Sequence, residues 1–146
     1  MQNFTIAIAS DHAGFQVKEA LKHYLEEQGY KVWDFGTHSS NSVDYPDYVH
    51  PLAESIENGT HRLGFVLCGS GNGVAITANK HQEIRAALCW IPEIATLARQ
   101  HNDANVCAIP ARFVSVDEAI KIAKAFLDAE FEGGRHARRV EKIPVK

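Results

Sequence analysis

Leu63-Gly64-Phe65-Val66-Leu67 runs straight into Cys68-Gly69-Ser70-Gly71-Asn72-Gly73 and then into Val74-Ala75-Ile76-Thr77-Ala78-Asn79. An apolar β-type run ends at a cysteine, three alternate glycines follow, and a small-residue helix starts. Parallel strands of an α/β sheet end in this way, and their ligands bind just outside the carboxyl ends of the strands. The glycines leave backbone amides bare and permit positive φ. Successive amides ahead of a helix make an anion site. A thiol beside them sits in an electropositive spot, where a cysteine's pKa falls and the thiolate becomes available as base or nucleophile. A plainer account, a tight turn with a core cysteine, fits the stretch alone equally well. The spacing is Gly-x-Gly-x-Gly with Cys89 about twenty residues on, so it is no dinucleotide fingerprint. No Gly-Lys-Ser/Thr follows, so it is no Walker A loop.

The chain has 146 residues and reads as one domain over 1–146, with a basic C-terminal tail from about residue 133. A chain of this size buries roughly 70% of the surface its unfolded form exposes, enough for a core without staples. Hydrophobic content is 45% and charged content 23%, which suits a soluble globular protein. A net charge of −3 argues against a general nucleic-acid binder. No basic leader precedes an apolar stretch at Met1-Gln2-Asn3-Phe4. No apolar run reaches the roughly 18 residues of a membrane span. The three cysteines lack Cys-x-x-Cys spacing, which disfavours a disulfide framework or zinc knuckle and fits the reduced cytoplasm.

Thr5 to Ala9 reads as the first strand, followed by the loop Ser10-Asp11-His12-Ala13-Gly14. Val17, Ala20, Leu21, Tyr24 and Leu25 then recur at helical spacing up to Gly29. Lys31 to Phe35 is a second strand. Asp47 to Asn58 has helical spacing, with Leu52, Ala53 and Ile56 on one face; Pro51 suits a first turn but bends an interior, so the start of this helix stays open. After the opening stretch, Arg85 to Trp90 is the fourth strand and Pro92 opens a helix to about Gln100. His101-Asn102-Asp103 is read as its C-terminal loop, and Asn105 to Ile109 as the fifth strand. Ser115 with Glu118 forms a capping box for the helix through Leu127. Gly133-Gly134-Arg135-His136-Ala137-Arg138-Arg139 starts a short last helix. Strands alternating with helices mean a five-stranded parallel sheet, right-handed crossovers and helices on both faces.

In such a fold, catalytic groups belong in the loops after the strands: Asp11 and His12, Cys68 to Gly73, and Arg112. Each has a plainer account. Asp11 caps a helix; a protonated His101 at a helix C-terminus is favoured by the dipole; Arg135, Arg138 and Arg139 are a solvated face. Cys89 and Cys107 lie inside strands and read as inert core thiols. Trp33 and Trp90 look exposed. His23, His38, His61 and His81 look bland, and no His or Cys group shows metal-ligand spacing. Taken together, arginines suited to phosphate, a base in an amide-rich loop and a histidine for protons are equipment for proton transfer beside a carbonyl in a sugar phosphate. Amides at Gly69 to Gly73 would stabilise the enediolate.

Asp11-His12-Ala13-Gly14, Asp44-Tyr45-Pro46, Cys68-Gly69-Ser70-Gly71-Asn72-Gly73 with Ala78-Asn79-Lys80, Arg99 to Asn105, and Glu132-Gly133-Gly134-Arg135-His136 with Arg139 occur in order along the whole chain. In these motifs the sequence closely resembles the ribose-5-phosphate isomerase type B family, shared with the galactose-6-phosphate isomerase subunits. The resemblance implies a Rossmann-like three-layer α/β sandwich acting as a homodimer or tetramer, without metal or other cofactor. It implies interconversion of ribose 5-phosphate and ribulose 5-phosphate through a cis-enediol, a pentose phosphate pathway step. Cys68 is then the base moving the proton between C1 and C2, with Ser70 alongside and the amides of Gly69, Ser70, Gly71, Asn72 and Gly73 on the enediolate. By the same resemblance His101 is the ring-opening acid, Asp11 and Asn102 contact sugar oxygens, and His12, Arg112, Arg135 and Arg139 bind phosphate. The resemblance also places the site across a dimer interface, with His101 and the tail arginines able to act on the neighbour's Cys68. One branch of the family uses a glutamate where this chain has Val74; with Cys68 present, the chain resembles the cysteine branch.

Three alternatives stay open at this point. Within the family, the substrate is a six-carbon sugar phosphate such as allose or galactose 6-phosphate. Outside it, the chain is a non-catalytic phosphate-binding module, against which an intact Cys68, His101 and Arg112 argue. A thiol redox protein is the third, but no resolving cysteine lies near Cys68 in sequence.

Overall fold

Which face of the sheet each strand residue takes is set by simple alternation. The computed structural model describes residues 4–145. Its strands are β1 (Thr5–Ser10), β2 (Lys31–Asp34), β3 (Gly64–Cys68), β4 (Ala86–Leu88) and β5 (Val106–Pro110). They pair in parallel in the order β2-β1-β3-β5-β4. The helices are α1 (Phe15–Glu27), α2 (Pro46–Glu57), α3 (Asn72–Ala78), α4 (Pro92–Asn102), α5 (Val116–Asp128) and α6 (Arg135–Glu141). Among the described residues, no helix is long and apolar enough to cross a membrane.

One face of the sheet presents Ile6, Ile8, Phe65, Leu67, Cys89, Cys107 and Ile109 to Leu21 and Leu25 of α1, Ala95 of α4, and Ile122 and Phe126 of α5. The other presents Ala7, Ala9, Val66, Cys68, Val106 and Ala108 to Leu52 and Ala53 of α2 and Val74 and Ala78 of α3. The result is the expected three-layer α/β sandwich around a five-stranded parallel sheet. Strands buried on both faces explain why β3 and β5 read as unbroken apolar runs.

This layering positions the site. α1 and α5 leave to one face, while α3, which follows the strand between β1 and β5, leaves to the other. Neighbouring loops that part in opposite directions open a crevice at the strand ends. β3 has such a crevice on each side.

α2 runs Pro46–Glu57, within a residue of the expected Asp47–Asn58 and with Pro51 inside it, which fixes the start that the sequence left open. Pro51 removes one intrahelical bond, but it lies on the exposed side while Val49, Leu52 and Ala53 are buried, so packing holds the helix. His101 and Asn102 belong to the last turn of α4, which ends at Asp103 with φ 47°. β4 is shorter than expected, only Ala86–Leu88, which leaves Cys89 just past its end rather than inside it; elsewhere the expected elements appear, including the Ser115–Glu118 capping box.

A buried ion pair ties α1 to the edge strand β2. The Lys18 ammonium is fully buried and lies 2.6 Å from Asp34 Oδ2 and 2.7 Å from Glu19 Oε2. Burial acts to raise the Asp34 carboxyl, but hydrogen bonds from Lys18 and the Gly36 amide, with the charges of Lys18 and Lys22, outweigh it. The carboxyl is held below its ordinary 3.8. A depressed carboxyl contributes stability above its unfolded-state value and loses it as pH falls through the folded one. Removing one partner of a buried pair strands the other, so Lys18→Met is expected to lower unfolding free energy by about 3 kcal/mol at neutral pH. Urea denaturation measures this, and the deficit should shrink below pH 4.

Candidate active site

Cys68 is the last residue of β3, paired with Pro110 and 5% exposed. The β5–α5 loop follows the same path. The Ala111 amide donates to Cys68 O at 2.9 Å and the Arg112 amide to Gly69 O at 3.0 Å. The Arg112 guanidinium lies over Gly69, where an added Cβ would come within 3.2 Å of Nη1. On the other side of β3, the Asp11 amide donates to Leu67 O at 3.3 Å. Asp11 is nearly buried, and its Oδ1 accepts from the Gly14 amide at 3.1 Å. His12 Nδ1 accepts from the Val43 amide at 3.2 Å; in the neutral ring the proton is therefore on Nε2, free to donate. The structure thus brings Asp11, His12, Cys68, Gly69 and Arg112 to one edge, as the sequence expected.

The loop itself is tightly shaped. Gly71 has φ 76° and sits against Leu88 and the backbone of Pro110. An added Cβ at Gly73 would come within 2.4 Å of the Tyr45 ring. Ser70 Oγ accepts from the Asn72 amide at 3.2 Å, so that amide is engaged. The first backbone bond into α3 is Ala75 to Gly71 at 3.2 Å, leaving the first-turn amides of Gly73 and Val74 for a ligand. Tyr45, from the Asp44-Tyr45-Pro46 motif, walls this loop with its ring, a contact between distant segments that has no local signal in the sequence.

His101, Asn102, Arg135 and Arg139 are elsewhere. In a parallel sheet, α4 must return from the carboxyl edge of β4 to the amino edge of β5. His101 and Asn102 therefore lie at the sheet edge opposite Cys68. The five residues of β5 separate the two edges by roughly 16 Å. α6, with Arg135 and Arg139, packs on α4. There the His101 ring stacks on that of His136, with centroids 4.3 Å apart and planes within 9°. Glu132 Oε1 lies 3.7 Å from His101 Nε2 and 3.6 Å from His136 Nε2. A cavity of about 400 Å³ opens at this edge, lined by Asn102, Arg85 and Asn79 among others.

His101, Glu132 and His136 are the one group of three among the described residues close enough to hold a metal ion. Face-to-face rings, however, direct their in-plane lone pairs side by side rather than onto a shared ion, so this arrangement does not fit tetrahedral coordination. Cys89 and Cys107 are fully buried on the sheet face opposite Cys68. Burial, then Cys89 beside it, pushes the Cys107 thiol up. Neither can resolve an oxidised Cys68, and both are inert core thiols.

A doubly wound α/β protein with polar groups gathered in the crevices beside a central strand belongs to the class that binds small ligands at that edge. The sequence profile of the Ribose/Galactose Isomerase family matches residues 6–143, and the chain belongs to that family. It is 46% identical to the probable ribose-5-phosphate isomerase B of Mycoplasma pneumoniae over 97% of this chain and 93% of the relative. It is 45% identical to ribose-5-phosphate isomerase B of Escherichia coli, over 94% and 93%. A crystal structure of a ribose 5-phosphate isomerase from Thermotoga maritima superposes with a TM-score of 0.96 at 48% identity, covering 98% and 99%. The Mycoplasma genitalium enzyme, solved with bound ribulose-5-phosphate, superposes at 0.92 with 42% identity, covering 98% and 95%.

Gly71→Ala tests how tightly the loop is built. It places a side chain at positive φ and within 2.5 Å of Leu88 Cδ1, costing about 2–4 kcal/mol. Gly59, with φ 84° and nothing within 4 Å, is the control; Gly59→Ala costs about 1 kcal/mol. Denaturant unfolding compares the two.

Proposed function

We propose that this chain is an aldose–ketose isomerase interconverting ribose 5-phosphate and ribulose 5-phosphate, acting as a single isomerase domain. The observation that carries the reading is Cys68 at the end of the central strand, between Asp11 on one side and Arg112 on the other. The family and the named relatives support the reaction class.

In the proposed mechanism His101 opens the furanose ring as an acid. The Cys68 thiolate takes the C2 proton of the open-chain aldose. The electron pair moves to the carbonyl oxygen, giving a cis-enediolate held by the loop amides between Gly69 and Gly73 other than that of Asn72, which Ser70 Oγ engages. The O2 proton passes to O1, the carbonyl re-forms at C2 as the Cys68 thiol returns its proton to C1, and the ketose leaves with the thiolate regenerated. Ser70 lies beside the base. Asp11 and Asn102 contact sugar oxygens, while His12, Arg112, Arg135 and Arg139 bind the phosphate. No oxidant or reductant is consumed.

Cys68 and His101 lie at opposite sheet edges, so one chain cannot bring both to one substrate. The reading therefore includes a homodimer in which His101, Asn102, Arg135 and Arg139 complete the partner's Cys68 site. Large apolar side chains left exposed support association: Ile76 on α3, Trp90 and Ile91 before α4, and Phe113 before α5.

A coupled assay with ribose 5-phosphate beside allose 6-phosphate and galactose 6-phosphate tests the substrate; turnover confined to a six-carbon sugar keeps the chemistry and moves the assignment. Cys68→Ala should remove kcat, whereas Arg139→Ala should chiefly raise KM. Full activity in Cys68→Ala would rule out the base. Refolding Cys68→Ala together with His101→Asn should restore about a quarter of wild-type activity, since half the dimers are mixed and each holds one intact site. No recovery on mixing would mean that the site lies within one chain.

A further inference from the structure

We propose that Glu132 is a positioning residue for His101, and that it does so as one corner of a His101–Glu132–His136 cluster holding a single proton's charge. This rests on the reading of His101 as the ring-opening acid. Gly133 and Gly134 both have positive φ, 68° and 56°, and they turn the chain back on itself. Glu132 and the first turn of α6 thereby close on the last turn of α4. The Glu132 amide donates to Gln100 O at 3.0 Å, fixing the segment one residue before His101.

The stack fixes the plane of the His101 ring against His136. The carboxylate lies nearly equidistant from the two Nε2 atoms, at 3.7 and 3.6 Å. These are charge contacts rather than hydrogen bonds. One carboxylate balances one imidazolium, and two protonated rings at stacking distance repel each other. Burial, then His101, then Arg135 push the His136 ring below its ordinary value, with Arg139 adding and Glu132 opposing. The cluster thus disfavours a second proton, and the negative charge on the pair comes from Glu132.

The other charged groups near the cluster do not supply that charge. Arg135 and Arg139 on α6 are positive. Arg138 and Glu141 are exposed on the same helix. On α4, Arg99 turns away, with Nη1 on the Ala104 carbonyl and Asp103. Glu130 faces the cavity that Arg62 and Arg99 line.

An acid must hold its proton until it acts, so activity dependent on it is kept at low pH and lost as pH rises. Glu132→Gln keeps size and the backbone bond but removes the charge. In the intact oligomer with ribose 5-phosphate, the alkaline limb of the kcat–pH profile should move roughly half a unit to one unit lower. On that limb kcat then falls about three- to tenfold, with KM little changed. Glu132→Asp, which keeps the charge on a shorter arm, should leave the limb between the two. An alkaline limb that stays in place in Glu132→Gln, whether kcat is unchanged or lowered equally at every pH, overturns the positioning role. His101→Asn is the companion measurement: unchanged kcat there removes the acid reading and this proposal with it. A large loss there beside an unmoved limb in Glu132→Gln removes this proposal alone.

Discussion

Every strand of the sheet points the same way, and the rest of the molecule follows from that. Parallel pairing gathers all the carboxyl ends at one edge and obliges each helix to carry the chain back to the other. β3 sits between two strands whose helices leave by the opposite face. Its terminal cysteine consequently has a crevice on each side, one supplying Asp11 and His12, the other Arg112. The same rule exiles whatever lies at a helix C-terminus. His101 and Asn102 are separated from Cys68 by the full height of β5, further than a side chain reaches. A site drawing on both edges therefore needs a second chain, a requirement set by backbone direction rather than by surface chemistry.

Much of this was legible in the sequence because the signals are local. Apolar β-prone runs marked the strands, helical spacing marked α1 and α5, and the strand-end rule picked out Asp11, Cys68 and Arg112. The remaining features depended on context. Pro51 left the start of α2 open because propensity charges the lost bond without crediting the burial of Val49, Leu52 and Ala53 beside it. That β5, not β4, lies next to β3 leaves no local mark. Glu132 and His136 sit four apart, which suggests helical neighbours, yet Gly133 and Gly134 are not helical. Their meeting with His101 comes from the reversal those two glycines make. Tyr45 over Gly73 is likewise a contact between distant segments.

The two halves of the proposed site are built differently. The Cys68 edge is held by backbone: amides bonded across β1, β3 and β5, and glycines whose missing side chains let segments close up. The His101 edge is held by side chains, through ring stacking and a shared carboxylate. Backbone restraint fixes position with little dependence on pH or salt. Side-chain charge contacts at an exposed edge respond to both. A tuned proton donor belongs on the second kind of scaffold, and an oxyanion-holding loop on the first.

All three cysteines are buried, Cys68 at the rim of the sheet and Cys89 and Cys107 on its opposite face. Cys68 ends in the crevice where a ligand enters, whereas Cys89 and Cys107 are sealed beneath α1, α4 and α5. Labelling of those two thiols reports opening of the protein rather than their own reactivity. A reagent that modifies them shows when that helical layer lifts from the sheet. The chain carries, without any engineering, two reporters of its own local unfolding.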